Sequence, residues 1–105
     1  LPLWLAPEQA RIMTITDRAD EAAVALRDRL AAAGLRVETD LRNEKIGFKI
    51  REAQMEKIPY MLVLGDKEVE NGVVAVRARK GGDLGVMSID ALLERMREEV
   101  DTKAR

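Results

Sequence analysis

The positively charged side chains of this sequence gather in two short segments, and that placement is its first sign of chemistry. Between positions 42 and 51, Arg42, Lys45, Lys49 and Arg51 stand against Glu44 alone, and Arg77, Arg79 and Lys80 lie close together further on. Each segment carries +3, while the whole chain carries −1, so the remainder carries −7. If the fold brings the two segments together, they make an anion-binding face on an acidic body. If it does not, Lys45, Lys49 and Arg51 merely solvate one side of a helix, and charge alone does not separate the two readings.

Motifs for catalysis are missing. With no cysteine and no histidine, the chain has no disulfide, thiolate nucleophile, zinc finger, or Ser-His or Cys-His pair. No clustered D-x-D-x-[DN]-G loop offers a carboxylate metal site. Gly81-Gly82-Asp83-Leu84-Gly85 lacks the G-K-[ST] ending of a phosphate-binding loop. Thr14-Ile15-Thr16-Asp17 has no glycine to cradle a phosphate and an acid that would repel one. Catalysis by this segment alone is therefore not expected.

A length of 105 residues suits one compact domain with a modest core. Hydrophobic residues make up 47%, yet Trp4, Phe48 and Tyr60 are the only aromatics, so the core must be aliphatic. No apolar run approaches the length that spans a bilayer, and no signal-peptide layout is present, which reads as a soluble cytoplasmic protein without membrane contact. The sequence opens Leu1-Pro2-Leu3-Trp4-Leu5 without methionine. So apolar a terminus is a poor free end. It reads as a join to a preceding neighbour, giving residues 1–9 as the join, 10–101 as the domain and 102–105 as a frayed tail.

The elements that must position the charged groups follow from pattern. Ala10 to Thr16 is a β-strand rich in Ile and Thr, after which Asp17 is placed to cap a helix with Asp20 and Glu21 in its first turn. Ala22, Leu26, Leu30 and Ala33 form the apolar stripe of that helix, and Gly34 ends it. Leu35 to Thr39 alternates as a second strand, completing a parallel β-α-β unit. A helix over about 44–57 turns Ile46, Ile50 and Ala53 inward, with Phe48 and Met55 on a separate stripe. Pro59 breaks it, and Tyr60 to Leu64 is a continuous apolar run suited to a central strand. Asn71-Gly72 signals a hairpin leading into a strand over 73–79, Gly81 to Gly85 reads as a loop, and Ser88 caps a last helix with Leu92, Leu93, Met96 and Val100 facing inward. The expected architecture is a three-layer α/β/α domain with a mixed, mainly parallel sheet of about five strands and three helices.

At this point whole stretches become recognisable. Asp40-Leu41-Arg42-Asn43-Glu44-Lys45-Ile46-Gly47-Phe48-Lys49-Ile50-Arg51-Glu52 closely resembles a signature of the C-terminal anticodon-binding domain of threonyl-tRNA synthetases, a class II family. Ile58 to Glu70 (IPYMLVLGDKEVE), Val74 to Arg79 and Asp83-Leu84-Gly85 extend the likeness over nearly the whole chain. Pro2 to Gln9 resembles the join after the catalytic domain of that family. The resemblance implies a parent ligase that is homodimeric and cytoplasmic, charges tRNA with threonine using ATP and magnesium, and holds its catalytic zinc in another domain. It also implies that this piece reads the anticodon loop and contacts its own catalytic domain through Leu1–Gln9.

The resemblance places base recognition on Asn43, Glu68 and Arg77, whose chemistry suits it. Threonine anticodons share G and U at their second and third positions. Guanine's Watson–Crick edge offers adjacent N1–H and N2–H₂ donors that the two oxygens of Glu68 can accept; read alone, Glu68 is a solvated turn residue. Arg77 offers guanidinium donors to base carbonyls, and read alone it is a strand-end surface arginine. Asn43 suits a base edge or a helix cap equally. Arg42, Lys45, Arg51 and Arg79 suit backbone or supporting contacts, with Lys57 a weaker candidate because Gln54-Met55-Glu56-Lys57 departs from the family's pattern. Phe48 can stack on an unpaired base, though packing is its simpler role. The competing reading is a stand-alone interaction or regulatory module that keeps the fold without binding tRNA; the joint presence of Asn43, Glu68 and Arg77 weighs against it.

Overall fold

The computed structural model describes residues 2–102. β1 (Ala10–Thr14), α1 (Asp20–Ala32) and β2 (Val37–Asp40) form the expected parallel β-α-β unit, with Ala10 opposite Val37 and Met13 opposite Asp40. Asp17 does not cap α1. It opens a 3-10 turn, Asp17–Ala19, that precedes the helix, and no side chain caps either element. Asp20 and Glu21 do stand in the first turn, where the helix dipole favours acids, and the Thr14 hydroxyl donates to Asp20 over 2.9 Å. Gly34 ends the helix at φ +91°, with its own N–H on Ala31 O and that of Leu35 on Leu30 O. This paired closure needs a left-handed residue, which glycine adopts without steric cost.

α2 (Ile46–Met55) is shorter than the expected 44–57. β3 (Tyr60–Leu64) is buried along its whole length and lies at the centre of the sheet between β1 and β4, as its unbroken apolar run requires. The Gly65–Gly72 stretch is not a hairpin turn. Asp66–Asn71 forms a short helix, α3, and Gly72, at φ +66°, closes it. Asn71-Gly72 thus supplies its left-handed residue to end a helix rather than to reverse two strands directly. β4 (Val73–Ala78) still returns antiparallel to β3. The Gly81–Gly85 segment, expected as a loop, belongs largely to an exposed fifth strand, β5 (Gly82–Ser88), paired antiparallel to β4 with an irregularity beside Val76 and Arg77.

The sheet order is β2-β1-β3-β4-β5. It has the five strands and mixed pairing expected, but the pairings divide into two parallel and two antiparallel, and α3 brings the described helices to four. One face carries the main core, where Ile12, Leu62 and Val76 meet Leu26 and Leu30 of α1 and Leu92 and Met96 of α4 (Ile89–Asp101). On the other, Met13 and Met61 meet Ala53 and Ile58, with Ile46 and Ile50 packed alongside. Ser88 caps α4 as expected, its hydroxyl accepting from the Ala91 N–H over 3.1 Å. The helix holds through Asp101, and the part of the frayed tail expected over 103–105 lies outside the described residues.

The apolar start is folded onto the body. Leu3 is buried in the main core, and its carbonyl accepts from Gln9 Nε2 over 2.9 Å. Gln9 Oε1 accepts from the Arg36 N–H over 2.8 Å, while the Arg36 side chain donates to the carbonyls of Trp4 and Ala6. Leu5 remains half exposed.

Candidate nucleic-acid interface

The parallel strands β1, β2 and β3 all end at one edge of the sheet, where open α/β folds place their ligand sites. Asn43 lies here, exposed in the bend between β2 and α2. It does not cap α2: Lys45 holds the capping position, and no side chain bonds there. Glu68 lies at the same edge, in the first turn of α3 and partly buried. It is not a freely solvated residue. Its Oε1 accepts the Gly65 N–H over 2.8 Å, so the carboxylate is held in place. No further donor to it is found among the described residues, which leaves Oε2 and a second lone pair of Oε1 for a ligand. Asp66 beside it is fixed by Arg18 over 2.6 Å and by the Thr16 hydroxyl over 3.2 Å. The Arg18 hydrogen bond holds the Asp66 carboxyl below its ordinary pKa.

Lys49 corrects the reading of the first basic segment. It is 1% exposed, and its ammonium donates to the carbonyl oxygens of Thr14 (2.9 Å) and Asp40 (3.1 Å). It therefore solvates no helix face and joins no surface patch. Instead it ties α2 to the ends of β1 and β2, at the base of the bend that carries Asn43. Arg42 is committed as well: it donates to both oxygens of Asp40 over 2.9 and 2.8 Å and to Glu52 over 2.5 Å. These hydrogen bonds raise its own pKa and lower that of Asp40. Its guanidinium also lies 5.7 Å from the ring centre of Phe48, which is 41% exposed rather than packed in the core.

The remaining candidate cations are dispersed. Along β4, Val74, Val76 and Ala78 turn into the main core, so Arg77 shares the opposite face with Val73 and Ala75, and all three are only partly buried. That face lies on the side of α2, which packs over β1, whereas α4 meets β5 on the main-core face and α3 meets β4 where the two join. Glu52 and Glu56 reach Arg42 and Arg11, on the β2 and β1 side. Helical spacing puts Gln54 on the opposite flank, while Arg51, two residues from each of the buried positions 49 and 53, points away from the sheet into solvent. Arg77 pairs in register with Met61, three residues below Leu64, so it lies roughly 10 Å down the sheet from the Glu68 edge. Arg79 and Lys57 lie at the far edge, where the Arg79 N–H donates to Pro59 O over 2.8 Å and Lys57 takes a left-handed φ of 62°. The fold thus brings Asn43, Lys45 and Glu68 to one edge, leaves Arg77 on the half-open face of β4, and exposes Arg51 on the outer side of α2. Arg79 and Lys57 stand apart from them. Sequence reasoning missed two members of this region, Gly65 and the half-exposed Ile15 beside it.

Among the described residues no group of three or more acidic side chains converges as a metal site, and the chain has no His or Cys to supply zinc donors. No helix among them is long and apolar enough to cross a membrane.

Comparison with known proteins shows the family and the fold. The chain is 59% identical over 100 residues to a threonine–tRNA ligase of Alkalilimnicola ehrlichii, covering 95% of this chain and 16% of that protein. It is 54% identical over 102 residues to the threonine–tRNA ligase of Clostridium acetobutylicum, covering 97% and again 16%. The crystal structure of the RNA binding domain of threonyl-tRNA synthetase from Cryptosporidium parvum superposes with a TM-score of 0.90 at 31% identity, over 94% of this chain and 25% of that one. This chain thus spans about one sixth of the length of the curated relatives it matches. The sequence pattern of the anticodon binding domain matches residues 9–99, and the chain therefore belongs to the anticodon binding domain family.

Proposed function

We propose that this chain is the part of a threonine–tRNA ligase that reads the anticodon loop, so that only threonine tRNAs present their acceptor ends for charging. Glu68 accepts from the N1–H and N2–H₂ of the shared guanine, Arg77 donates to a base carbonyl, and Asn43 meets a base edge. Lys45 and Arg51 hold backbone phosphates, while Arg42, Lys57 and Arg79 support from further away. Activation of threonine with ATP and magnesium, and the zinc of the catalytic centre, belong to other parts of a homodimeric cytoplasmic enzyme, which this chain meets through residues 1–9. None of that chemistry is assigned to residues here.

The observation that carries the reading is Glu68, whose carboxylate is fixed through Oε1 at the strand edge while keeping acceptor capacity free. A base whose edge presents donors is the complement of such a group, and a wrong base leaves it unpaired, costing roughly 1–3 kcal/mol by analogy with DNA base readout. The test is binding of the chain to an anticodon stem-loop carrying GU at the shared positions, against the same loop carrying AU, at low and moderate salt. A preference for GU that persists as salt rises is expected. Equal binding that simply collapses with salt would reduce the site to an electrostatic patch and refute base reading.

A further inference from the structure

We propose that Gly65 is a positioning residue for base reading: its N–H holds one oxygen of the Glu68 carboxylate, and its missing side chain leaves the space that oxygen occupies. A Cβ built at position 65 would stand 2.9 Å from Glu68 Oε1 and 2.9 Å from Ile15 Cδ1, closer than carbon atoms approach other heavy atoms without displacement. The backbone here is at φ −116°, which any residue adopts, so glycine is required by space and not by conformation. Ile15 closes the other side. It is anchored through its N–H on Leu64 O over 3.0 Å, yet its side chain is half exposed. One carboxylate oxygen is therefore held by a backbone donor, with Ile15 as an apolar wall beside the place the absent Cβ would take, and its direction is set before any base arrives. A recognition group held this way loses little freedom on binding, so discrimination between bases rests on its placement.

This inference rests on the reading of Glu68 as the guanine-reading group, and the experiment separates the two. The chain and its Glu68→Gln, Gly65→Ala and Ile15→Ala variants are titrated with anticodon stem-loops carrying G or A at the second anticodon position, and their thermal melts are recorded. Both atoms that a Cβ at 65 would meet are ends of flexible side chains, so Gly65→Ala should melt close to the parent while its carboxylate is pushed aside. Its preference for G over A is expected to fall about three- to tenfold, part of the roughly 5- to 150-fold that one base readout carries, with binding to the A loop little changed. Ile15→Ala removes the wall but keeps the donor, and should lower the preference in the same direction by less. If Gly65→Ala melts far below the parent, Ile15→Ala decides. Loss of preference in Glu68→Gln with full preference in the decisive variants overturns the positioning role and leaves Glu68 as reader. Full preference in Glu68→Gln, or none in the parent, overturns the Glu68 reading and the role of Gly65 with it.

Discussion

Replacing Lys49 with methionine removes an ammonium from a site that is 1% exposed, while keeping an unbranched stem of similar length. Two carbonyl oxygens, of Thr14 at 2.9 Å and Asp40 at 3.1 Å, lose their side-chain donor. A buried polar group left without a partner costs about 1–3 kcal/mol. Against this stands relief from burying a charge, which in comparable replacements returns about 1–4 kcal/mol when the polar partners go too. Here the partners are backbone and stay, so the relief is incomplete. A net loss of about 1–3 kcal/mol is expected, a fraction of the roughly 5–15 kcal/mol that holds a domain together, so the variant should remain folded. With a urea dependence of about 2 kcal/mol per molar, the denaturation midpoint should fall by about 0.5–1.5 M. The assay is urea unfolding followed by circular dichroism. A midpoint at or above that of the parent would show that the carbonyls find other donors, and would refute the claim that the ammonium holds the two strand ends together.

Two further outcomes follow from the same structure. Lys45→Ala removes an exposed cation at the start of α2, and should weaken all anticodon stem-loops alike and flatten the dependence of log affinity on log salt by about one phosphate contact; a change in base preference would reassign Lys45 to base reading. Tyr60, the only tyrosine in the chain, is buried and donates its hydroxyl to Glu99 over 2.6 Å. Burial first, and that hydrogen bond second, raise its pKa above the usual 10.0. Because the folded value is the raised one, its contribution to stability is intact below pH 10 and is lost as pH rises through the folded pKa; phenolate absorbance in the folded chain should therefore appear later in an alkaline titration than in the urea-unfolded chain, and coincident curves would count against the buried hydrogen bond.

Where the sequence signal is a period, it predicts the structure well. The unbroken apolar run of β3 is buried as its pattern requires, and Leu26 and Leu30 of the α1 stripe are buried. Ala23, however, takes the inward place expected of Ala22, and β1 and β2 are found as strands without strict alternation of burial. α3 and β5 escape for different physical reasons. Asp66–Asn71 has no buried residue and hence no apolar stripe to reveal a helix. Its capping pattern is hidden because the capping position holds glycine in place of the usual serine or threonine. Gly82–Ser88 is an exposed edge strand containing glycines at positive φ, and it exists because β4 offers it a ladder, not because its residues favour extension.

The site itself was legible in kind but not in arrangement, and Lys49 shows why. Charge placement treats every lysine as a surface cation, yet the helical spacing that turns Ile46, Ile50 and Ala53 inward turns position 49 inward as well. That signal was present; what it lacked was an acceptor, and the acceptors are backbone carbonyls that carry no sequence label. Arg42 repeats the lesson, since its pairing with Asp40 and Glu52 depends on β2 and α2 being brought side by side. With Lys49 buried and the exposed Arg42 paired to Asp40 and Glu52, the basic segments no longer read as one electrostatic face. What stands at the strand edge is a fixed carboxylate, an amide and the cation Lys45, with Arg77 partly buried on β4 and Arg51 exposed on the outer side of α2. The described cations without an ion pair, among them Lys45, Arg51, Lys57, Arg79 and Lys80, are spread over the chain and do not form one dense patch, so general attraction to RNA carries no base preference. On the proposed reading, selectivity comes from where the polar groups are held, and the buried Lys49 ammonium and the bare Gly65 are two devices that hold them.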